Sequence, residues 1–112
     1  MDYDKTDSQY IRNELKNFLD DSGKLKIYPA KRKQKILSLF YLASKFEKNK
    51  IYSQNEVNQI LKNWHLFDDW AMLRRDLYDK FFFGRKPNGS AYWLEDNQPS
   101  LESFGYKRNC TN

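Results

Sequence analysis

The sequence has few of the residues that build disulfides and metal centres. Its 112 residues include one cysteine, Cys110, and one histidine, His65. A single cysteine excludes an intramolecular disulfide, which suits a reducing compartment. One Cys and one His, far apart along the chain, make a poor start for a transition-metal site. We therefore predict no metal and no cofactor.

Long apolar runs and catalytic motifs are missing too. No stretch approaches the roughly 18 apolar residues of a membrane span, and residues 1–6 are acidic and polar, unlike a secretory signal. There is no P-loop, G-x-S-x-G, H-E-x-x-H or Gly-rich dinucleotide motif. The adjacent carboxylates at 20–21 and 68–69 suit helix caps better than acid/base catalysis. We expect a cytoplasmic, non-enzymatic protein without membrane contact and without catalytic residues.

Charge is present in quantity and is unevenly distributed. The net charge is +5. Residues 1–23 hold six acidic and three basic residues, a net −3, whereas residues 24–50 hold nine Lys or Arg against Glu47, a net +8. A basic block of this kind favours an anionic partner, and nucleic acid is the candidate.

Apolar spacing in the first half predicts two helices. Residues 8–19 form an amphipathic helix whose stripe is Ile11, Leu15, Phe18 and Leu19, ended by Gly23. Leu25 and Ile27 alternate with lysines as in a short half-buried strand. A second helix runs over about 30–46, and its almost wholly apolar middle, 36–43, indicates a buried central helix.

The second half predicts two helices and a hairpin. Ser53 and Glu56 form a capping box for a helix over 53–64. Asp68 caps a helix over 68–80, with Phe67 and Met72 as a hydrophobic staple. Two aromatic strands within 81–94 flank an Asn-Gly turn, and residues 95–112 are expected to be a loose tail.

The predicted class is mainly α with a small β-hairpin, an α+β arrangement. A winged helix-turn-helix has the order helix, short strand, helix, turn, helix and hairpin. The predicted elements resemble this order, with an extra helix at the N-terminus. Residues 1–22 are then the N-terminal helix, 23–94 the winged-helix-like domain and 95–112 the tail. The helix-turn-helix is 53–64 with 68–80, and the wing is 81–94.

Four motifs, in order, resemble a known family. They are the run YPAKRKQKIL at 28–37 with Gly23, Leu25 and Lys26 before it, YSQNEVNQIL at 52–61, LRRDLYD at 73–79, and the Gly89 to Tyr92-Trp93 ending. The chain resembles the domain-of-unknown-function family number two thousand and eighty-seven over about residues 15–94. The resemblance implies a domain that occurs alone, the form expected here, or fused to winged-helix regulators of the ArsR type.

Two positions depart from the family pattern. Tyr28 stands where the pattern has isoleucine, and 67–70 reads FDDW where the pattern usually has an Asp-His pair. No role of that histidine can be carried over to this chain.

The basic start of the second helix is the first candidate site. Lys31, Arg32, Lys33 and Lys35 crowd a helix N-terminus, where cations are unfavourable by up to about 1 kcal/mol each. Cations beside the unpaired backbone amides of a helix N-terminus form a site suited to binding phosphate. The alternatives are that four exposed cations, which do not form one stripe on a helical projection, serve solubility, or that they pair with the acidic N-terminal segment.

Further candidates lie on the fourth helix and the wing. Arg74 and Arg75 belong to the expected recognition helix, although Arg75 could pair with Asp79 and Arg74 could cover the core with its stem. The wing carries Arg85, Lys86, Asn88 and Tyr92, which suit phosphate contact or an ordinary polar tip. His65 suits a cap or turn.

These residues predict a DNA-binding transcription regulator. The alternative is a non-catalytic module that uses the winged-helix shape to bind a protein or small ligand, because the fourth helix has mixed charge on its outer face. The stripe at 8–19 must pack on something, since a lone helix of that length is marginal in water. It either folds back on its own domain or forms a homodimer.

Overall fold

Residues 5–106, as described by a computed structural model, contain four α-helices and one β-hairpin. The helices are α1 (Lys5–Leu15), α2 (Arg32–Ala43), α3 (Gln54–Trp64) and α4 (Trp70–Asp79). Strands β1 (Phe83–Arg85) and β2 (Tyr92–Leu94) pair antiparallel, with Phe83 opposite Leu94. The predicted class, mainly α with a small hairpin, is confirmed. No helix within 5–106 is long and apolar enough to cross a membrane.

Helix α2 is the centre of the core. Every residue from 36 to 43 is buried, as the apolar run predicted. The one polar member, Ser38, donates its hydroxyl to the Gln34 carbonyl at 2.8 Å, so its burial leaves no unpaired donor.

Helix α1 packs on α2 and covers it. Ile11 and Leu15 have no exposed surface, while Phe18 and Leu19 are partly buried against the same core. Of the two alternatives for this stripe, the structure has the helix folded back on its own domain. Ile11 and Leu15 are therefore covered, and the homodimer through residues 8–19 stays a prediction.

The helix-turn-helix pair begins largely as its sequence signals predict. The Ser53 hydroxyl accepts from the Glu56 amide at 3.0 Å and the Glu56 carboxylate accepts from the Ser53 amide at 2.8 Å, which is the capping box. The cap of α4 is Asp69, which accepts from the Met72 amide at 3.2 Å; the prediction of Asp68 was one residue early.

Two further predictions in this half of the chain are wrong. Phe67 stacks on Tyr28 and contacts His65 while Met72 is exposed, so no staple forms. No regular strand forms over 25–27. Leu25 makes isolated bridges, but the chain bends at Ile27, which is 55% exposed.

The short strand segment of the fold lies between α2 and α3. Tyr52 and Tyr92 exchange two backbone hydrogen bonds of 2.8 Å, so Tyr52 pairs with β2 on the edge opposite β1. The order helix, strand segment, helix, turn, helix, hairpin therefore holds from α2 onward. Only the position of the segment differs from the prediction.

Residues 95–106 pack on the core, so the prediction of a loose tail is wrong for them. Leu101 is buried, Phe104 stacks on Phe82 at 6.1 Å, and the Gln98 amide donates to the Phe82 carbonyl at 2.9 Å. The prediction missed this segment because Phe104 packs on Phe40 and Phe82, which are far from it in the sequence. Residues 107–112, including Cys110, lie outside the described part.

Candidate nucleic-acid interface

An open groove runs between α4 and the hairpin and ends at the start of α3. Its volume is about 1030 Å³. The lining residues come from all three elements: Gln54, Ala71, Met72, Arg74, Arg75, Asp76, Tyr78, Asp79, Arg85 and Tyr92. Four of the ten predicted site residues, Arg74, Arg75, Arg85 and Tyr92, meet in this α4–hairpin groove.

The three arginines of the groove are held differently. Arg74 donates to the Asn58 side-chain oxygen of α3, which fixes it at the boundary between the two helices. Arg75 is largely exposed and lies 3.9 Å from Asp79, the pairing that its spacing suggested. Such an exposed pair stabilises by only about 0–1 kcal/mol, so it can open for a phosphate.

Arg85 projects from β1 across the hairpin. Its guanidinium lies 4.6 Å from the centroid of the Tyr78 ring on α4. Its Nη1 also reaches the Pro87 carbonyl at 3.3 Å. A cation over a ring is held by the ring quadrupole without losing its donors to a carboxylate. Arg85 therefore remains able to bind an anion in the groove.

Two carboxylates give the groove its mixed sign. Asp79 lies beside Arg75. Asp76 accepts a 2.7 Å hydrogen bond from the hydroxyl of Tyr28, and burial of that hydroxyl, with the Asp76 bond, raises the pKa of Tyr28. Asp76 is therefore engaged by Tyr28.

The start of α3 closes one end of the groove. Gln54 is the first residue of α3, and a Cβ added at Gly89 of the hairpin turn would meet its Oε1 at 3.3 Å. The hairpin tip and this helix N-terminus are thus close neighbours. Backbone amides in the first turn of a helix point outward with partial positive charge, which adds to the attraction for phosphate.

The basic block at the start of α2 lines a different surface. Lys33 lies 3.5 Å from Glu14 of α1, Arg32 donates to the Tyr106 hydroxyl at 2.7 Å, and Lys35 lies 5.0 Å from the centroid of the Tyr28 ring. Lys31 is exposed. None of the four lines the α4–hairpin groove. This separation depends on how α2 packs against α4 and the hairpin, which the spacing of the four cations does not show.

The remaining wing candidates have local roles. Lys86 and Asn88 are exposed at the hairpin tip, where the Asn88 side chain accepts from the Ser90 amide at 3.0 Å. The tight turn is 86–89, in which the Gly89 amide donates to the Lys86 carbonyl at 2.8 Å and Gly89 has a φ of 75°. Tyr92 is buried, and only part of its ring reaches the groove.

Sequence reasoning missed Gln54, Asn58 and Tyr78. Gln54 directly follows a recognisable cap, so its place at a helix start was readable. Tyr78 follows Arg75 by three residues, which puts both on one helix face. Asn58 could not be found this way, because its partner Arg74 is on another helix.

His65 occupies the turn between α3 and α4. It is buried, its Nδ1 lies 2.6 Å from the Leu61 carbonyl, and its Nε2 accepts from the Asp69 amide at 3.0 Å. Both ring nitrogens are therefore used by the turn, which confirms the prediction of a cap or turn residue. Within 5–106 no group of three or more His, Cys, Asp or Glu is arranged to hold a metal ion.

Together these features define a mainly α domain with a helix-turn-helix pair, a hairpin and a groove that gathers three arginines. Residues 24–94 match the family model described as "Uncharacterized protein conserved in bacteria (DUF2087)", and the chain belongs to that family. The matched region contains every residue of the groove. Searches of curated proteins and of solved structures gave no match.

Proposed function

We propose that the protein binds nucleic acid through the α4–hairpin groove and regulates transcription, without catalysing a reaction. The observation that carries this proposal is the convergence of Arg74, Arg75 and Arg85 from α4 and β1. In helix-turn-helix proteins the second helix of the pair enters the major groove while neighbouring elements contact phosphates. Here α4 is that second helix.

The contacts of the three arginines suggest a different role in DNA binding for each of them. Arg75 is exposed on the outer face of α4 and suits a phosphate or a base edge. Arg85, on the hairpin, suits the backbone of the adjacent strand. Arg74 is fixed by Asn58 and adds charge to the groove wall. Ala71 and Met72, exposed on the same face, suit apolar contact with thymine methyl groups.

The test is fluorescence anisotropy with a random-sequence DNA duplex at two salt concentrations. We expect an affinity that falls steeply with salt, and a salt slope that drops by about 1 for each phosphate contact removed by Arg75→Ala or Arg85→Ala. Lys26→Ala is the matched control, since Lys26 is an exposed cation outside the groove. No binding at low salt, or equal losses in all three variants, would contradict the proposal.

The second candidate is a module that binds a protein or small ligand in the same groove. It is favoured by Asp79 and by the partly exposed Met72 and Tyr78, at 38% and 39%. The direction in which one substitution changes the binding affinity distinguishes the two functions. Asp79→Asn removes a charge that repels phosphate, so it should strengthen DNA binding, whereas it should weaken binding of a basic peptide.

A further inference from the structure

A second concave site lies at the other end of α3. Its volume is about 470 Å³, and it is an open depression bordered by the end of α1, the turn at 19–23, the end of α2 and the end of α3. Three cations, Arg12, Lys16 and Lys45, line it together with the rings of Tyr41 and Trp64. Trp64 ends α3 and Gln54 begins it, so this α1–α3 pocket and the α4–hairpin groove are about 15 Å apart along the helix.

The cations of the α1–α3 pocket gather around aromatic rings. The Lys45 ammonium lies 4.0 Å from the Trp64 ring centroid and 4.4 Å from that of Tyr41. The Arg12 guanidinium lies 5.7 Å from the same Tyr41 centroid. Burial lowers the pKa of Lys45, and the charge of Arg12 lowers it further. The fold thus holds two like charges together at a partly buried place.

Two carboxylates of the turn, Asp20 and Asp21, also line the pocket, but within 5–106 neither forms an ion pair with its three cations. Asp20, on the pocket rim, accepts from the Lys24 amide at 2.8 Å and from the Ser22 amide at 2.9 Å. The Lys24 bond is the main cause that lowers the pKa of Asp20, and the carboxylate serves the turn. Within the described residues, neither Arg12, Lys16 nor Lys45 forms an ion pair. Neighbouring charges of like sign repel each other, and a bound anion would offset this repulsion.

We propose that the α1–α3 pocket binds a small organic anion in which a carboxylate or phosphate group is joined to a flat apolar group. The anionic group lies between Arg12 and Lys45, where a guanidinium can bind it with two parallel hydrogen bonds. The apolar group packs on Leu19 and the Trp64 ring. The volume falls within the range of about 300–1,000 Å³ typical of small-molecule sites. This site is independent of nucleic-acid binding.

The experiment titrates the full-length protein with phenyl phosphate, benzoate and neutral benzyl alcohol. The readouts are the NMR signal of the Trp64 indole N–H, assigned with Trp64→Phe, and the melting temperature. We expect saturable shifts and a raised melting temperature with at least one anion, and neither effect with benzyl alcohol. The two anions distinguish a phosphate from a carboxylate ligand.

Three variants locate the site. Arg12→Gln and Lys45→Gln should each weaken anion binding by roughly tenfold or more, because each removes a charged donor. Lys26 is an exposed cation outside the pocket, so Lys26→Gln should leave the anion affinity unchanged. If Lys45→Gln fails to fold, Arg12→Gln decides, since Arg12 is exposed.

Three results would overturn the proposal. The first is the absence of a saturable shift with either anion at about 10 mM, a concentration that nearly saturates a site with a Kd of about 1 mM. The second is an equal effect of benzyl alcohol. The third is unchanged anion binding in Arg12→Gln. Failure to bind duplex DNA would not affect this outcome, because the DNA-binding proposal rests on the α4–hairpin groove.

Discussion

Tyr28 connects the segment before α2 to the helix that forms one wall of the groove. Its hydroxyl binds Asp76 of α4, and its ring stacks on Phe67 with 5.8 Å between centroids and 7° between planes. Tyr28 and the segment that begins with Phe67 are the two departures from the family pattern, and they contact each other. The contact to α4 itself is the bond from Tyr28 to Asp76.

Tyr28→Phe should lower the free energy of unfolding by about 1–3 kcal/mol at pH 7, because it removes a hydrogen bond to a carboxylate and keeps the ring. Urea unfolding measures this, with Tyr78→Phe as the matched control. Burial raises the pKa of Tyr28 above its ordinary value of 10.0. Above about pH 10 the unfolded chain ionises first, so this stabilisation declines as pH rises. The difference in the free energy of unfolding between the wild type and Tyr28→Phe should then become smaller. A difference that grows above about pH 10 would contradict the role given to the Tyr28–Asp76 hydrogen bond.

Lys33 belongs to α2 but interacts with α1. It lies 3.5 Å from Glu14, and both side chains are about one-third exposed. Lys33→Glu places two carboxylates together and should destabilise by about 0.2–1 kcal/mol, more at low salt. This reverses the sign that helix-dipole reasoning alone predicts for a first-turn lysine.

Restoring the opposite charge is the control for Lys33→Glu. The double variant Glu14→Lys with Lys33→Glu should recover most of the loss in urea unfolding. Equal stability of the single and double variants would show that the pair has no influence on the docking of α1.

At the scale of elements, the turn between α3 and α4 joins the two helices of the helix-turn-helix pair. His65 accepts from the Asp69 amide and contacts the Leu61 carbonyl, so one ring joins the end of α3 to the cap of α4. Leu25 adds a backbone bond of 2.9 Å from its amide to the Trp64 carbonyl. The angle between the two helices is therefore set by side-chain and backbone bonds in the turn as well as by core packing.

His65→Ala should lower the free energy of unfolding by about 2–4 kcal/mol. The variant removes a buried ring and leaves the Asp69 amide without its acceptor. Urea unfolding monitored by circular dichroism gives the value. Asn63→Ala, an exposed neighbour on α3, should change stability by no more than about 0.5 kcal/mol. Similar small effects in both variants would mean that the His65 bonds contribute little.

At the scale of the whole molecule, α1 and the segment 95–106 complete the core outside the family match. Ile11 and Leu15 cover one side of α2, and Phe104 covers another through Phe40 and Phe82. The matched region, 24–94, therefore leaves apolar surface of α2 that the flanking segments bury. We expect the stability of the domain to depend on them.

Leu15→Ala should destabilise the protein by about 2–5 kcal/mol, since the side chain is fully buried and its removal leaves a cavity. That is a large share of the roughly 5–15 kcal/mol available to a small domain. Asn13→Ala, exposed on the same helix, is the control. A loss below about 1 kcal/mol for Leu15→Ala, measured by urea unfolding, would show that α1 is dispensable for the core.

The elements with local signals were predictable, and the contacts between distant segments were not. The capping box at Ser53, the apolar run of α2 and the hairpin within 81–94 each depend on neighbouring residues, and each was confirmed, although the tight turn is 86–89 and not a two-residue Asn-Gly turn. The packing of Phe104, the Tyr52–Tyr92 pairing and the separation of the basic block from Arg75 depend on tertiary contacts. Periodicity carries no information about those, so the site could be predicted only as a list of ten residues. The groove brings together four of them, Arg74, Arg75, Arg85 and Tyr92.

The most direct test of the central claim is the NMR footprint of duplex DNA on the backbone amides of the intact protein. We predict shifts confined to Gln54, the outer face of α4 and the hairpin around Arg85, which all fade as salt is raised. The basic block at 31–35 should keep its signals. Shifts centred on residues 31–35, or no shifts at protein concentrations sufficient for weak non-specific binding, about 100 μM, would contradict the claim that the α4–hairpin groove binds nucleic acid.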